Sequence, residues 1–217
     1  PEVTRSGATG NVFQYVPMAT EATPVSLAML ATAAATGAVL LGRPALPLRA
    51  KGIRYLSGTG WHRDSELPFA SLGFLAYLDP LDAATGALRV VPGSHRIPLA
   101  DPPTELDAGV AVETQPGDLI VLDDHVLHAS RGGEVRRQWR VDVIADPRTE
   151  EEVALVQRYL DDTFEPGWDG GYDVDRFPSF GPDWRAAGGP WVARLEQLGA
   201  PARARAEEDA ARRARGI

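Results

Sequence analysis

The sequence predicts a mainly β protein, a sandwich or jelly roll with flanking helices, built as one domain over residues 1–217. Three observations carry that expectation. Between Leu46 and Ala145 short strand-like runs recur, broken by Gly, Pro and Asp, the rhythm of a two-sheet β fold. No helical crossover fits between those runs, which argues against a parallel α/β sheet. And 217 residues, 44% of them hydrophobic, suffice for one sizeable core.

Taken in order, the first element is VSLAMLATAAATGAVLLG, residues 25–42, which carries no charge over 18 residues. That is near the lower limit for a membrane span. It is rich in Ala and stands just before the β region, so it is expected as a buried core helix, with no membrane involved. Thr23 and Pro24 suit its N-cap and first turn, and Gly42 its stop. The predicted strands are IRYL (53–56), LGFLAYL (72–78), LRVV (88–91), VAVET (110–114), LIVLDD (119–124) and WRVDVIA (139–145). They define a core of about 46–146. Flanking helices and a loop follow over about 148–215: TEEEVALVQRYLDDTF (149–164), then a run from about Trp191 to Arg215. Between them, EPGWDGGYDVDRFPSFGPDW (165–184) is expected as an ordered loop of the kind that can serve as a lid. Its Trp168, Tyr172, Phe177 and Phe180 are expected to pack onto the barrel rather than close over substrate. The tail ARARAEEDAARRARGI reads as a solvated helix or frayed end.

Charge and composition narrow the function. The net charge is −8, from 22 basic and 30 acidic residues, which disfavours phosphate backbones and so nucleic acid. The absence of cysteine excludes disulfides, thiolate metal sites and cysteine nucleophiles. The first residue is Pro1 rather than Met, so an N-terminal piece is expected to be missing; the residues given show no signal-peptide pattern, and a cytoplasmic location is expected.

The stretch TGWHRDSEL (59–67) sets His62 and Asp64 two residues apart. With four histidines and 30 acidic residues among 217, such a spacing arises by chance about half the time. A polar strand end is therefore the bland explanation. Geometry adds weight, because residues i and i+2 of a strand share a face, with Arg63 turned away. A later histidine would complete a 2-His-1-carboxylate triad suited to non-haem Fe(II). His95, in the Pro-Gly turn VVPGSHR, and His125 and His128, in LIVLDDHVLHAS, are the candidates. The last two are expected on opposite faces, and spacing alone does not choose among the three.

The order HRD, TGALRVVPGSHR, PGDLIVLDDHVLHAS and then an arginine-bearing strand resembles the phytanoyl-CoA dioxygenase family over about Leu40 to Pro147. The resemblance implies a double-stranded β-helix, cupin-like in its jelly roll, that uses Fe(II), 2-oxoglutarate and O2. It implies His128, within Leu127-His128-Ala129-Ser130, as the distal ligand beside His62 and Asp64. It also implies oxidation, most simply hydroxylation, of a C–H in a small-molecule substrate, with 2-oxoglutarate converted to succinate and CO2. The family places a cosubstrate arginine about a dozen residues past the distal histidine. Arg136, Arg137 and Arg140 stand there, and spacing favours Arg140. Against it, Asp142 stands where that family usually has Ser. Alternation offers Arg137 instead, on the apolar face it shares with Trp139, Val141 and Val143, the face a barrel interior is expected to want. Ser130 is a candidate to hydrogen-bond the cosubstrate, although an ST-turn would use it equally well. Trp61 and Arg63 flank the ligand pair and are candidates to line the substrate mouth, while Gly86 and Gly93 read as turn residues. Two other classes compete. One is a metal-binding, cupin-like jelly roll without 2-oxoglutarate chemistry. The other is an iron halogenase, which Asp64 disfavours because such enzymes carry a small residue in place of the carboxylate.

Overall fold

A computed structural model describes residues 4–6, 12–97, 109–133, 135–164, 172–186 and 189–214. Among them, ten strands form two antiparallel sheets. In chain order the strands are β1 (Thr4–Ser6), β2 (Val12–Pro17), β3 (Ala45–Tyr55), β4 (Thr59–His62), β5 (Ser71–Tyr77), β6 (Leu88–Val90), β7 (Val110–Val112), β8 (Ile120–Asp123), β9 (His128–Ser130) and β10 (Arg136–Ala145). The larger sheet runs β1-β2-β3-β10-β5-β8 and the smaller β4-β9-β6-β7. Strands remote in sequence, such as β3 and β10, pair across more than 80 residues of chain, which gives the interleaved connectivity of a jelly roll. The two sheets meet over Leu75, Tyr77, Leu88 and Leu122, with Val90 and Ala111 against them.

The helices are α1 (Pro24–Leu41), α2 (Glu150–Thr163), α3 (Pro182–Ala186), α4 (Pro190–Leu198) and α5 (Ala200–Ala214). Pro24 opens α1, and Gly42 ends it in the left-handed conformation at φ 66°, its N–H bonded to the Ala38 carbonyl. The sequence led us to expect this helix buried, yet only one face is. Ser26, Leu30, Ala33, Ala34 and Gly37 are covered, while Val25, Val39 and Leu40 are exposed. The helix is long and apolar enough to cross a membrane by length and composition; here its covered face lies on the outer side of β3 and β10. Trp139 Nε1 donates to Ser26 Oγ at 2.7 Å. Gly37 sits so close to β10 that a Cβ there would lie 2.9 Å from Val143 Cγ1 and 3.2 Å from Ala45 Cβ.

The C-terminal region covers the same outer side further along. Thr149 caps α2, accepting from the Glu152 N–H at 3.1 Å. The helix expected over 191–215 is two helices, because Gly199 turns the chain at φ 83°. The tail is less solvated than its composition suggested. Ala200 and Ala204 are buried, and so are Glu207 and Glu208, with Glu208 Oε1 accepting from the Ser179 N–H at 2.7 Å. The loop aromatics pack. Tyr172 meets Tyr15 edge-on, and Phe180 lies between Phe164 and Trp184. Phe177 joins the Tyr15–Ile53 cluster, and Trp168 falls outside the described residues.

The long strand β10 shows how the sequence divides its faces. Trp139, Val141 and Val143 join the core shared with α1, α2 and α4. Arg136, Gln138, Arg140 and Asp142 alternate with them and are also buried, so they face the smaller sheet. The apolar face thus points at the helices, not into the barrel. A helix layer offers β10 more apolar surface than a barrel interior whose charged groups pair among themselves.

The close approach at Gly37 yields a stability prediction. Gly37→Leu must displace Val143 or Ala45 and should lower the unfolding free energy by about 1–3 kcal/mol in urea titration. An unchanged midpoint would mean that α1 does not seat on β10 at this point.

Candidate metal centre

Strand β4 pairs with β9 so that His62 stands directly opposite His128. Their rings lie 4.2 Å apart, centroid to centroid. Asp64 follows two residues beyond the end of β4, and its backbone N–H bonds to the Asp124 carbonyl at 2.9 Å. The result is a three-residue cluster whose ligand atoms all lie within 4.8 Å of one another. Asp64 Oδ1 is 3.8 Å from His62 Nε2, and Asp64 Oδ2 is 3.4 Å from His128 Nε2.

Hydrogen bonds behind the rings orient them. His62 Nδ1 lies 2.8 Å from the Gly60 carbonyl and His128 Nδ1 2.9 Å from the Val126 carbonyl. A carbonyl only accepts, so each Nδ1 carries the proton and each Nε2 keeps its lone pair toward the cluster. This is the backing that ligating histidines need. Burial pushes His128 below its ordinary pKa against the pull of Asp64, which favours the neutral, ligating imidazole. Burial pushes the Asp64 carboxyl up, but Arg140, His128 and His62 together outweigh it and hold it well below the usual carboxylate range. Two imidazole nitrogens and one carboxylate oxygen suit Fe(II) or a similar divalent ion bound on one face.

The other histidines are engaged elsewhere. His125 spends both ring nitrogens, on Asp123 Oδ1 and the Leu67 carbonyl, each at 2.8 Å. His95 is exposed in the 3-10 turn Ser94–Arg96 and accepts from Arg96. Arg63 turns away and donates to the carbonyls of Ser94 and Ile97 at 2.8 and 2.7 Å. The Trp61 ring lies against Gly109, where any Cβ would collide with it. Both residues candidate for the substrate mouth therefore serve neighbouring loops.

The three arginines separate cleanly. Arg137 is on the solvent side, its side chain 57% exposed and paired with Asp79 at 2.6 Å; the expectation that it shares a face turned into the barrel does not hold, because that face meets the helices and its end meets water. Arg140 is buried and directed at the cluster. Its Nη2 donates to Asp64 Oδ2 at 2.8 Å and its Nε to Asp142 Oδ1 at 2.6 Å. Asp142 in turn holds Lys51 Nζ at 2.6 Å. Burial draws Lys51 down to about 8 despite Asp142. Burial and the charge of Asp64 raise Asp124 to about 7. The remaining arginine of this strand is Arg136. It too is buried, donating to the Ser57 carbonyl at 2.9 Å and the Gly132 carbonyl at 3.4 Å, with its guanidinium 5.1 Å from the centre of the Tyr55 ring. Its Nε has no hydrogen-bond partner, and no carboxylate pairs with it among the described residues. Burial lowers its pKa, as expected for a buried cation lacking a counter-charge. Gly86 makes its place: at φ 105° any Cβ would lie 2.8 Å from Arg136 Cδ. One signal would have found Arg136: its shared parity with Arg140 on β10.

Ser130 is buried. It stands two residues past His128, so about 7 Å along the strand, and shares a hydrogen bond with Thr59 Oγ1 at 3.1 Å. Tyr55 and Tyr77 lie within electrostatic reach of both Arg136 and Asp64. Burial raises both phenols above their ordinary pKa, so they remain neutral donors.

Comparison with known proteins agrees with this architecture. Residues 51–138, from β3 into β10, match the family model for phytanoyl-CoA dioxygenase (PhyH). No curated protein sequence matches the chain. Among solved structures, the non-haem alpha ketoglutarate dependent epimerase SnoN from nogalamycin biosynthesis aligns at TM-score 0.55 and 22% identity, over 67% of this chain and 68% of that one. EvdMO1 aligns at TM-score 0.53 and 24% identity over 63% of this chain, which spans only 36% of EvdMO1. EctD from S. alaskensis, solved with 2-oxoglutarate and 5-hydroxyectoine, aligns at TM-score 0.50 and 23% identity, over 63% and 56% of the two chains. These likenesses establish the jelly-roll fold.

The geometry sorts the histidines by experiment. Titrated with Mn(II) as a probe, the protein should take up one ion per chain. His62→Ala, Asp64→Ala and His128→Ala should each abolish that binding, and His125→Ala should keep it. Retention in His128→Ala with loss in His125→Ala would reverse the assignment.

Proposed function

We propose that this chain, whose residues 51–138 match the phytanoyl-CoA dioxygenase family model, is a non-haem iron, 2-oxoglutarate-dependent oxygenase acting on a small-molecule metabolite. One observation carries the proposal: His62, Asp64 and His128 converge within 4.8 Å, with both imidazole Nε2 atoms free to ligate. Three protein ligands on one face leave open positions, the arrangement of Fe(II) oxygenases. When bound, the iron supplies the activation of O2, coupled to oxidative decarboxylation of 2-oxoglutarate to succinate and CO2.

The chain's own residues do the rest. His62, Asp64 and His128 hold the metal. Arg136 anchors the far carboxylate of 2-oxoglutarate, in place of the Arg140 that spacing favoured. Arg140 already faces three carboxylates, Asp64, Asp124 and Asp142, and an arriving dianion would be repelled by them. Among the described residues Arg136 has no such partner, and a planar guanidinium pairs with carboxylate through two parallel bonds. In this proposal Tyr55, Tyr77 and Ser130 donate hydrogen bonds to the same ligand. The charge pattern thus directs one carboxylate to one end of the cavity and leaves the metal's other side for substrate.

The substrate step is hydroxylation of an unactivated C–H in this proposal. The scaffold itself allows other outcomes, since SnoN is an epimerase and SnoK, similar at TM-score 0.52 and 19% identity, a carbocyclase. With Asp64 in the triad, halide has no vacated ligand position, which disfavours halogenation.

Succinate release from 2-oxoglutarate, measured with Fe(II), O2 and a panel of candidate metabolites, tests the activity. Substrate-stimulated succinate is expected. No decarboxylation by a metal-loaded protein under any substrate would favour a metal-binding, cupin-like role instead. The anchor is tested separately. Arg136→Ala should raise the KM for 2-oxoglutarate by roughly two orders of magnitude, from loss of ~3 kcal/mol, with metal uptake unchanged. Arg137→Ala should behave as wild type. A normal KM in Arg136→Ala would remove it from the cosubstrate site.

A further inference from the structure

We infer that Arg140 is a positioning residue that limits Asp64 to one coordinating oxygen, and that Asp142, Lys51 and Gly73 are built to hold Arg140 in that role. The inference rests on the metal centre proposed above and concerns residues outside its three ligands.

Three carboxylates converge on the guanidinium. Nη2 donates to Asp64 Oδ2 at 2.8 Å, and Nε donates to Asp142 Oδ1 at 2.6 Å. Asp142 cannot swing away, since its other oxygen accepts from Lys51 Nζ at 2.6 Å. Nη2 also lies 3.4 Å from Asp124 Oδ1, and the carbonyl of the same Asp124 accepts from the backbone N–H groups of Asp64 and Ser65 at 2.9 and 3.2 Å. Backbone and side chain of Asp64 are thereby fixed from one point. Underneath, β5 leaves the space: a Cβ at Gly73 would lie 3.0 Å from Arg140 Nη2 and 3.2 Å from its Cζ.

Filling the core does not explain this arrangement. Arg140 and Asp142 are both buried, 6% and 3% exposed. Buried ion pairs seldom stabilise a fold more than apolar side chains of the same volume. What the pairs do supply is a defined orientation for one carboxylate. With Oδ2 held by the guanidinium, Oδ1 is the oxygen left for the metal. A carboxylate that chelated through both oxygens would occupy one of the three open positions of a facial triad. The cosubstrate needs two of these and O2 the third. Arg140 therefore keeps that coordination sphere open, acting through Asp64 without touching substrate.

The test uses the full chain under anaerobic conditions, titrated first with Fe(II) and then with 2-oxoglutarate, reading the visible charge-transfer absorption of the complex and both affinities. Two variants are compared. Arg140→Lys keeps the charge and loses the fork, while Gly73→Ala keeps every charge and displaces the guanidinium, so it serves if Arg140→Lys folds poorly. Both should still load Fe(II). In both, 2-oxoglutarate affinity should fall about tenfold or more, as when a ligand's supporting partner is removed, with a shifted absorption band. Arg136→Lys should weaken 2-oxoglutarate without shifting the band. Metal-loaded Arg140→Lys and Gly73→Ala with wild-type band and affinity would overturn the inference alone. A wild type that takes up no Fe(II) would overturn the metal centre and this inference together.

Discussion

The register of β4 on β9 is the constraint on which the site depends. His62 opposes His128, and Thr59 opposes Ser130, with an irregularity between them. A slip of one residue would turn His62 to the opposite face. Strand β9 is locked from its other side as well, where β6 sets Val90 against His128 and Leu88 against Ser130. Asp64, beyond the end of β4, depends on the same neighbourhood: the Asp124 carbonyl that receives its N–H lies in the turn leading into β9. One short stretch, Asp123 to His128, thus supplies a ligand, the anchor of a second ligand, and through His125 the tie to the Leu67 loop.

The second constraint is the division of β10. Its apolar side chains face the helices, and its charged ones face the smaller sheet, where Arg140 and Lys51 are paired with Asp64 and Asp142. Charges removed from water are tolerated only when paired and hydrogen-bonded. Arg136, on the same face, breaks that pattern by lacking a carboxylate among the described residues, and this sets it apart as a receptor for an anion supplied from outside.

Much of the fold was legible because its signals are local. The strand-like runs located β5, β6, β7, β8 and β10 but only the last residues of β3, and the uncharged stretch after Pro24 located α1. Strands β1, β2, β4 and β9 were not foreseen; β9 is three residues long, and its pairing is set by partners distant in sequence rather than by its own pattern. The extent of the α1 burial was misjudged because an apolar composition does not say which face meets the sheet. His62 and Asp64 stood out by spacing, but physical reasoning on spacing alone left three histidines open. The exclusion of His125 needed the positions of Asp123 and Leu67, which no periodicity reports. The arginines were hardest. Alternation correctly separates Arg137 from Arg136 and Arg140, yet which face turns inward depends on the helix layer, and which arginine lacks a carboxylate depends on Asp64 and Asp124 from other segments.

A crystal structure of the protein with Fe(II) and 2-oxoglutarate bound under anaerobic conditions, with anomalous scattering recorded at the iron edge, tests the central claim most directly. The account predicts one iron held by His62 Nε2, His128 Nε2 and a single oxygen of Asp64, with the far carboxylate of 2-oxoglutarate on Arg136. Iron bound through His125 or outside this cluster, or a cosubstrate carboxylate seated on Arg140, would contradict it.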